Sequence, residues 1–124
     1  MSTSTRPLNK ILIVEDEGDL CLLLELLLFD KDTYIDHAMT LADALLSLEK
    51  ETPHIILLDN RLPDGLGLDL LPTLREKYPT VKIIMISGKD AAAADFALES
   101  GAHGFLTKPF SSRQLEDSIK VLLN

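Results

Sequence analysis

The sequence predicts an α/β fold, in which a doubly wound parallel sheet of five strands lies between two layers of helices. Short apolar runs alternate with longer helical patterns along the chain, and this alternation is typical of a βα repeat with a parallel sheet. Several of the runs end at a charged residue, as buried parallel strands do when their C-terminal ends carry the chemistry. The 124 residues are 46% hydrophobic, which is enough for one compact domain with its own core.

Five strand patterns can be recognised, and turn residues separate them from the helices. They occupy residues 10–15, 34–38, 54–59, 81–87 and 104–107. The second of these patterns is the weakest. Pro53 precedes the third pattern, where the missing amide of a proline is tolerated. The residues that follow the third pattern, 60–67, are rich in Pro and Gly and are therefore predicted to form a loop.

Five helical patterns fill the segments between and after the strands. They occupy residues 19–31, 41–50, a segment ending near residue 78, residues 91–100 and residues 112–122. Asp19, Thr40 and Ser111 are the predicted N-caps, because short polar side chains accept hydrogen bonds from the free amides of a first turn. Gly101 suits the position that follows the fourth helix. Pro72 predicts a short or kinked first turn in the third helix.

The order of the strands decides which polar side chains meet. Right-handed crossovers are compatible with the flavodoxin-like order 2-1-3-4-5, whose ligand site lies at the switch point between strands one and three. In that order Glu15, Asp16 and Asp59 are neighbours at the C-terminal ends of strands one and three. Ser87 and Lys108 then lie on the other side of Asp59. The sequence does not prove this order, but this order alone brings all five groups together.

That arrangement places three carboxylates and one ammonium group in a single pocket. Carboxylates that are packed together repel one another, so the pocket needs a cation or a raised carboxyl pKa. A hard divalent metal with oxygen ligands is the expected answer, because such ions prefer carboxylates. The sequence therefore predicts a metal site at this edge of the sheet.

Five motifs stand out: Glu15-Asp16, Asp59, Ser87-Gly88 and Lys108-Pro109 at the strand ends, and the pair Pro63 and Gly67 in the loop that follows Asp59. Together they resemble the motifs of response-regulator receiver domains of two-component signal transduction, the CheY-like superfamily. Each motif alone is weak, but five of them at the expected strand ends and in the expected order make a strong signal. The resemblance predicts a receiver domain over residues 10–124, and residues 1–9 are expected to form a disordered leader.

The resemblance implies that Asp59 is a phosphoacceptor, whose carboxylate attacks the phosphoryl group of a phosphohistidine. Glu15, Asp16, Asp59 and the backbone carbonyl of Arg61 would bind Mg²⁺, directly or through water. Positioning and charge neutralisation would then carry most of the rate, as in other phosphoryl transfers. The implied protein is a signalling switch that catalyses its own aspartyl phosphorylation and dephosphorylation, and not an enzyme in the metabolic sense.

The resemblance also assigns roles to residues around the phosphoryl group. Lys108 would pair with Asp59 and then with a phosphoryl oxygen, and Ser87 would donate its hydroxyl to another. A cis Lys108–Pro109 bond would aim the lysine into the pocket. Phe105 would be an aromatic switch, which turns inward when Ser87 moves and so changes the surface of helix four, strand five and helix five. The alternative is that Phe105 is a plain core residue.

Two positions near the phosphoacceptor are basic in this sequence. Arg61 lies two residues after Asp59, and Lys89 lies two residues after Ser87. In the family that the chain resembles, these positions flank the phosphoryl group and tune its hydrolysis. We expect the two long cations to cover the phosphoryl group and slow its hydrolysis by water. The alternative is that both side chains are solvated and have no effect.

Helix one is unusually apolar. Its predicted inward stripe consists of Leu20, Leu23, Leu24, Leu27 and Leu28. This assignment leaves Cys21, Leu22, Leu26 and Phe29 facing outward or sideways. The expected partner is a helical-bundle phosphodonor, either a sensor histidine kinase or a histidine phosphotransfer protein, with Leu22 and Leu26 as contacts. Alternatively, neighbouring elements cover part of the strip.

The charge and the cysteine content limit the possible partners and the cellular compartment. The formal net charge is −8 and the pI is about 4.7, so we expect no binding to nucleic acid or to anionic membranes through this chain. Cys21 is the single cysteine, which suits a reducing, cytoplasmic location. The output partner is not identified by the sequence. The chain is compatible both with a whole single-domain regulator and with a piece of a longer protein.

Three other functions are compatible with parts of the pattern. An aspartate-nucleophile phosphatase needs a second acid two residues after the nucleophile, and Arg61 occupies that place. A flavin-binding protein of the same fold would place a phosphate against residues 15–19, which are acidic and would repel it. A pseudo-receiver would only mediate contacts, and the complete set of site residues argues against it.

Overall fold

The computed structural model describes residues 9–30, 32–88 and 91–123, with side chains for all of these except residues 91–93. Five strands form one parallel sheet: β1 (Asn9–Val14), β2 (Thr33–Ala38), β3 (Ile55–Asp59), β4 (Lys82–Ser87) and β5 (Gly104–Thr107). Their order in the sheet is β2-β1-β3-β4-β5, so the predicted flavodoxin-like order is confirmed. The C-terminal ends of β1, β3 and β4 therefore meet at one edge of the sheet.

Five helices connect and follow the strands: α1 (Gly18–Leu28), α2 (Leu41–Lys50), α3 (Gly67–Lys77), α4 (Ala91–Glu99) and α5 (Ser112–Leu123). On one face of the sheet, α1 and α5 bury Leu24 and Leu115 in a shared apolar cluster. On the other face, α2, α3 and α4 bury Leu48, Leu71 and Ala97 in a second cluster. The predicted three-layer arrangement is confirmed.

The central strands have an apolar run between their ends because both of their faces are buried. In β1, Leu12 and Val14 belong to the cluster under α2, α3 and α4, whereas Ile11 and Ile13 belong to the cluster under α1 and α5. A strand covered by helices on both sides has no polar face, which explains the continuous hydrophobic run. Each fully buried side chain of this size contributes about 1.5–3 kcal/mol relative to an exposed one.

The boundaries of the first strand and first helix differ slightly from the prediction. β1 begins at Asn9, whose N–H donates to the carbonyl of Asp32 at 3.0 Å, and residues 1–8 of the predicted leader lie outside the described residues. The assignment of Asp19 as N-cap is wrong, since Glu17 occupies that position and makes no side-chain cap bond. α1 ends at Leu28 because Asp30 forms a turn, in which its carboxylate accepts from the N–H of Asp32 at 2.9 Å.

Other cap and turn predictions are confirmed. The hydroxyl of Thr40 accepts a hydrogen bond from the N–H of Asp43 at 3.0 Å. The hydroxyl of Ser111 accepts from the N–H of Gln114 at 3.1 Å. Gly101 follows α4 with a φ of +113°, a backbone conformation that favours glycine. None of the helices in the described ranges combines the length and the apolarity that a membrane span requires.

The segment after β3 is more ordered than the predicted loop. Arg61–Leu62 pairs with Gly65–Leu66 in a short antiparallel ribbon, and we call residues 60–67 the site hairpin. α3 begins at Gly67 and continues through Pro72 to its end. The hairpin therefore connects the last residue of β3 directly to the first residue of α3.

Candidate functional site

The C-terminal ends of β1 and β3 bring three carboxyl groups together. Val14 lies opposite Leu58 in the register of the two strands, so the residues that follow, Glu15 and Asp59, are neighbours. One carboxylate oxygen from each of Glu15, Asp16 and Asp59 lies within 4.8 Å of the other two. Glu15 and Asp59 are buried, whereas Asp16 is exposed. The cluster is therefore open to solvent on the side of Asp16.

A lysine that follows β5 balances part of this negative charge. The Nζ atom of Lys108 lies 3.1 Å from Oδ1 of Asp59 and 3.3 Å from Oε1 of Glu15. Its backbone N–H donates to the carbonyl of Ser87 at 2.7 Å, which extends the pairing of β4 with β5 as far as the site. The Lys108–Pro109 peptide bond is cis. The ammonium group thus contacts two of the three carboxylates.

The electrostatics of the cluster reflect burial first and the neighbouring charges second. Burial, and then the charge of Asp59, raise the pKa of Glu15 from 4.5 to about 7, although the N–H of Glu17 and the ammonium group of Lys108 act in the opposite direction. Burial alone would lower the pKa of Lys108, but its hydrogen bond to Asp59 and the charges of Asp59 and Glu15 raise it above 10.5 overall. Lys108 therefore carries its charge at neutral pH, and Glu15 is close to its titration midpoint.

The donor set fits a hard divalent cation. Carboxylate oxygens are the protein ligands that Mg²⁺ prefers, and Mg²⁺ keeps several of its waters, which the exposed side of the cluster admits. Burial, and then the negative charge of Asp59, raise the pKa of Glu15, so additional positive charge would stabilise the ionised cluster. A cation bound between Glu15, Asp16 and Asp59 would supply that charge.

The predicted switch residues lie on the neighbouring strands β4 and β5. Ser87 is buried at the end of β4. Phe105 lies opposite Met85 in the register of the two strands and is partly exposed. The ring of Phe105 packs against the apolar cluster under α2, α3 and α4. Phe105 therefore contributes to the core, and its role as a switch residue stays a prediction.

The structure describes one of the two basic residues that are predicted to tune the phosphoryl lifetime. Arg61 is exposed and is the first paired residue of the site hairpin. Lys89 lies outside the described residues. Arg61 follows Asp59 by two residues in the sequence, and its effect on the phosphoryl lifetime stays a prediction.

The exposure of the leucines on α1 agrees only in part with the prediction. Leu22 and Leu26 are 57% and 67% exposed, and Phe29 at the end of the helix is 80% exposed. Leu23 was predicted to face inward, but it is 48% exposed. The prediction for Leu23 is wrong because the helix is rotated so that Leu24 takes the centre of its buried face.

The same rotation buries Cys21, which was predicted to face outward or sideways. Its thiol donates to the backbone carbonyl of Glu15 at 3.2 Å, so it joins the start of α1 to the carboxylate cluster. Burial, and then the negative charge of Glu15, raise the pKa of the Cys21 thiol. A thiol with a raised pKa is a poor nucleophile, so Cys21 has a packing role.

An apolar groove begins at the site and runs along α1. It has a volume of about 400 Å³ and is lined by Leu20, Leu23, Leu27, Pro109 and Phe110, with Lys108 at its end nearest the carboxylates. The predicted inward stripe of α1 therefore includes residues that line an open groove. The groove places an apolar surface directly beside the charged cluster.

Asn60 has a structural role that the sequence pattern did not predict. Its backbone N–H donates to the carbonyl of Ile86 at 3.0 Å, and its backbone carbonyl accepts from the N–H of Gly67 at 2.8 Å. Its side-chain oxygen accepts from the N–H of Leu68 at 3.1 Å. Asn60 thus closes the base of the site hairpin next to Asp59. Asparagine is a common turn residue, which is the signal that the sequence offered.

Comparisons with known proteins show which family the chain is similar to. The profile of the response regulator receiver domain matches residues 11–120. Response regulator protein PilR of Pseudomonas aeruginosa is 36% identical over 116 residues, which cover 93% of this chain and 26% of PilR. Regulatory protein VanR of Enterococcus faecium is 34% identical over 116 residues, which cover 93% of this chain and 50% of VanR.

Solved structures show the same similarity. The crystal structure of a CheY-like response regulator receiver domain protein from Methanospirillum hungatei matches with a TM-score of 0.86 and 31% identity, and the match covers 94% of each chain. The chain belongs to the response regulator receiver domain family of two-component systems. It spans 26% to 50% of the length of the curated relatives that it matches first. Receiver domains bind Mg²⁺ in an acidic pocket, and in this chain Glu15, Asp16 and Asp59 form a cluster of acidic residues.

Proposed function

We propose that this receiver domain accepts a phosphoryl group on Asp59 from a phosphohistidine, in the presence of Mg²⁺. The observation that carries the proposal is the position of the Asp59 carboxylate. It is buried at the end of the central strand, 3.1 Å from the ammonium group of Lys108 and within 4.8 Å of the carboxylates of Glu15 and Asp16. This arrangement supplies a nucleophile, a fixed cation and ligands for a metal in one place.

In the proposed reaction, a carboxylate oxygen of Asp59 forms a bond to phosphorus. The bond between phosphorus and the imidazole nitrogen of the donor breaks, and its electron pair stays on that nitrogen. Lys108 is positioned to move from the carboxylate to a phosphoryl oxygen, and Ser87 is positioned at the end of β4 to donate to another. Glu15, Asp16, Asp59 and the carbonyl of Arg61 would hold Mg²⁺. When bound there, the ion supplies charge neutralisation for the phosphoryl oxygens.

The test is a mass measurement on the purified chain. Incubation with Mg²⁺ and acetyl phosphate should add the mass of one phosphate, and Asp59→Asn should abolish the addition. Omitting Mg²⁺ should have the same effect as the substitution. Addition of phosphate to the Asp59→Asn protein would exclude Asp59 as the phosphoacceptor, and no addition to the wild type would exclude the proposed function. The protein modifies itself in this scheme, so it acts as a switch and not as a metabolic enzyme.

We also propose that phosphorylation changes the surface of α4, β5 and α5 through Ser87 and Phe105. Ser87 ends β4, and Phe105 lies on the adjacent strand with its ring only partly buried. The ring packs against the core and keeps an exposed part, so an inward turn would change the exposed surface. The output partner that reads this surface is of unknown identity. Phe105→Ala should uncouple partner binding from phosphorylation without stopping phosphate addition to Asp59.

The proposed phosphodonor is a sensor histidine kinase or a histidine phosphotransfer protein that docks on α1. Leu22 and Leu26 expose an apolar surface, and the groove lined by Pro109 and Phe110 leads from α1 to Lys108. A helical donor packed there would bring its phosphohistidine to the carboxylate cluster. The cytoplasmic location expected from the single cysteine stays a prediction, as does the absence of binding to nucleic acid or membranes.

Charge substitutions on α1 test the docking surface. Leu22→Glu and Leu26→Glu should each slow transfer from the cognate donor about tenfold or more, which corresponds to about 1.4 kcal/mol of lost interface energy. Phosphorylation by acetyl phosphate should not change, since the small donor does not use this surface. Leu46→Glu is the matched control, because Leu46 is 56% exposed on α2, on the opposite face of the sheet. Unchanged transfer in the α1 variants would exclude this docking surface.

We propose, finally, that Arg61 and Lys89 lengthen the lifetime of the acyl phosphate. Arg61 is exposed two residues after Asp59, where its long side chain can reach over a phosphoryl group. Water attacks the phosphorus less often when a cation covers it. The decay of the phosphorylated protein, followed by mass, should be faster in Arg61→Ala than in the wild type. Equal or slower decay in the variant would contradict the proposal.

A further inference from the structure

The site hairpin has two anchors, one at its base and one at its tip. At the base, the carbonyl of Asn60 accepts from the N–H of Gly67 at 2.8 Å, immediately after the proposed phosphoacceptor. From there the paired residues of the hairpin lead to a tip at Pro63 and Asp64. Arg61 lies between the base and the tip. Its position relative to the carboxylate cluster therefore depends on how both ends are held.

The tip is anchored on α2 by the carboxylate of Asp64. Its Oδ1 atom accepts from the N–H of Leu41 at 2.8 Å, and its Oδ2 atom accepts from the N–H of Ala42 at 3.0 Å. The N-cap of the same helix is a different residue, Thr40, which accepts from the N–H of Asp43 at 3.0 Å. The free amides of the first turn of α2 are thus shared between the helix's own cap and the site hairpin.

A close backbone approach supports the same contact. Gly65, the residue after Asp64, has a φ of +148°, which lies in the range that favours glycine. A Cβ atom at this position would lie 3.1 Å from Cδ1 of Leu41. The hairpin backbone therefore lies directly against the first residue of α2. The two hydrogen bonds of Asp64 also lower the pKa of its carboxyl group, so the anchor is ionised at neutral pH.

We propose that Asp64 is a positioning residue for the metal site: by holding the tip of the site hairpin on α2, it fixes the backbone of Arg61 beside the carboxylate cluster. The inference rests on the proposed function, in which the carbonyl of Arg61 is a metal ligand. Without the anchor, the tip loses its two hydrogen bonds to α2, and the hairpin is held by the hydrogen bonds of Asn60 at its base and by the packing of Leu62 against the core. A ligand on a less constrained backbone binds a metal more weakly, because the metal must then also order the segment.

The test compares Mg²⁺ binding in three variants of the full chain, measured by calorimetric titration with the metal alone. Asp64→Ala removes both hydrogen bonds of the anchor and should weaken Mg²⁺ binding about tenfold, the lower range for groups that support metal ligands. Thr40→Ala removes a cap from the same helix without touching the hairpin, and should leave the Mg²⁺ dissociation constant unchanged. Asp64→Asn removes the charge but keeps one acceptor oxygen. Its affinity for Mg²⁺ should therefore lie between those of the wild type and Asp64→Ala.

Two results for the Asp64 variants would overturn the inference. Equal Mg²⁺ affinity in Asp64→Ala and Thr40→Ala would overturn it, because helix capping alone would then explain the role of Asp64. Equal weakening in Asp64→Asn and Asp64→Ala would also overturn it, since the effect would then come from charge and not from anchoring. If Asp64→Ala does not fold, Asp64→Asn takes its place in the comparison. Equal Mg²⁺ affinity in Asp64→Asn and Thr40→Ala would then overturn the inference.

Failure of the proposed function has a different signature. A wild-type protein that gains no phosphate with Mg²⁺ and acetyl phosphate overturns the proposed function, and the inference with it. A wild-type protein that gains phosphate on Asp59, together with unaltered Mg²⁺ binding in Asp64→Ala, overturns the inference alone. As a second readout, phosphorylation of Asp64→Ala should recover towards the wild-type rate when Mg²⁺ is raised, which a general loss of folded protein would not produce.

Discussion

The Nζ atom of Lys108 lies 3.1 Å from Oδ1 of Asp59 and, at 3.3 Å from Oε1 of Glu15, also contacts a second buried carboxylate. One ammonium group therefore holds together the ends of β1, β3 and β5. Its pairing with two carboxylates makes it the cation of the metal-free site. Asp16, the third carboxylate, is exposed to solvent.

Replacing this lysine separates its two electrostatic effects. Lys108→Met should bind Mg²⁺ about fivefold more tightly than the wild type, because about 1 kcal/mol of repulsion between the ammonium group and the ion is removed. The same variant should accept phosphate from acetyl phosphate more slowly, since the phosphoryl oxygens lose a cation. Calorimetric titration and mass measurement give the two quantities.

Lys77→Met is the matched control for this substitution. Lys77 is exposed at the end of α3, so its loss changes the net charge equally without touching the site. It should change neither the affinity for Mg²⁺ nor the rate of phosphate addition. Weaker Mg²⁺ binding in Lys108→Met would show that the lysine supports the metal site and does not compete with the metal.

The pH dependence of the metal-free protein should report on Glu15. Its pKa is about 7 in the folded protein and 4.5 ordinarily, so between these values the folded state binds more protons than the unfolded chain. The contribution of this group to stability is therefore fully present below pH 4.5 and is lost as the pH rises through 7. Glu15→Gln removes the titration, so its stability relative to the wild type should increase with pH over this range. Denaturant unfolding without metal measures the difference, and a constant difference across the range would contradict the assignment.

The sequence was sufficient to predict the strands, but the convergence of Glu15 with Asp59 required the strand order as well. A buried parallel strand needs an uninterrupted apolar run, and the first charged residue marks the edge of the sheet. Because the C-terminal ends of adjacent parallel strands share that edge, the strand order was the additional information required. The roles of these residues came from the family resemblance and not from the pattern itself.

The face of α1 could not be predicted, because the helix is apolar nearly all around. Hydrophobic periodicity defines a buried face only when polar residues mark the opposite one. The sequence therefore gave no reason to prefer Leu23 or Cys21 as the buried residue, and the packing against the sheet decided it. Asp64 contacts Leu41 and Ala42 of α2, which precede it by 23 and 22 positions in the sequence. No local pattern encodes such a distant partner.

Protonation of His103 should destabilise the fold in mild acid. The Nδ1 atom of its ring accepts from the N–H of Ile83 at 3.0 Å, at the start of the contact between β4 and β5. Burial, and then the charges of Arg75 and Lys82, lower the pKa of His103 below 6.5. The unfolded chain then binds a proton more readily than the folded one, so stability is fully present above pH 6.5 and falls as the pH decreases below it.

The variant His103→Gln isolates this effect, because its side chain does not titrate. As the pH is lowered from above 6.5, the free energy of unfolding of the wild type should decrease relative to that of the variant. Denaturant unfolding at a series of pH values measures the difference, and other groups, including Glu15, cancel in it. Parallel curves for the two proteins would contradict the role assigned to His103.

A single methyl group at Gly67 should disturb the site. A Cβ atom there would lie 2.5 Å from the backbone oxygen of Asp59 and 3.0 Å from Cγ of Leu58, so the backbone after β3 would have to shift. Gly67→Ala should lower the free energy of unfolding by about 1–3 kcal/mol, as overpacked sites do, and should slow phosphate addition because Asp59 moves. Gly18→Ala is the matched control, because Gly18 is also the first residue of a helix and a Cβ atom there meets nothing within 4 Å. It should leave stability unchanged or raise it by up to about 1 kcal/mol. Equal effects of the two substitutions would mean that the loss of glycine flexibility, and not the contact with Asp59, determines the outcome.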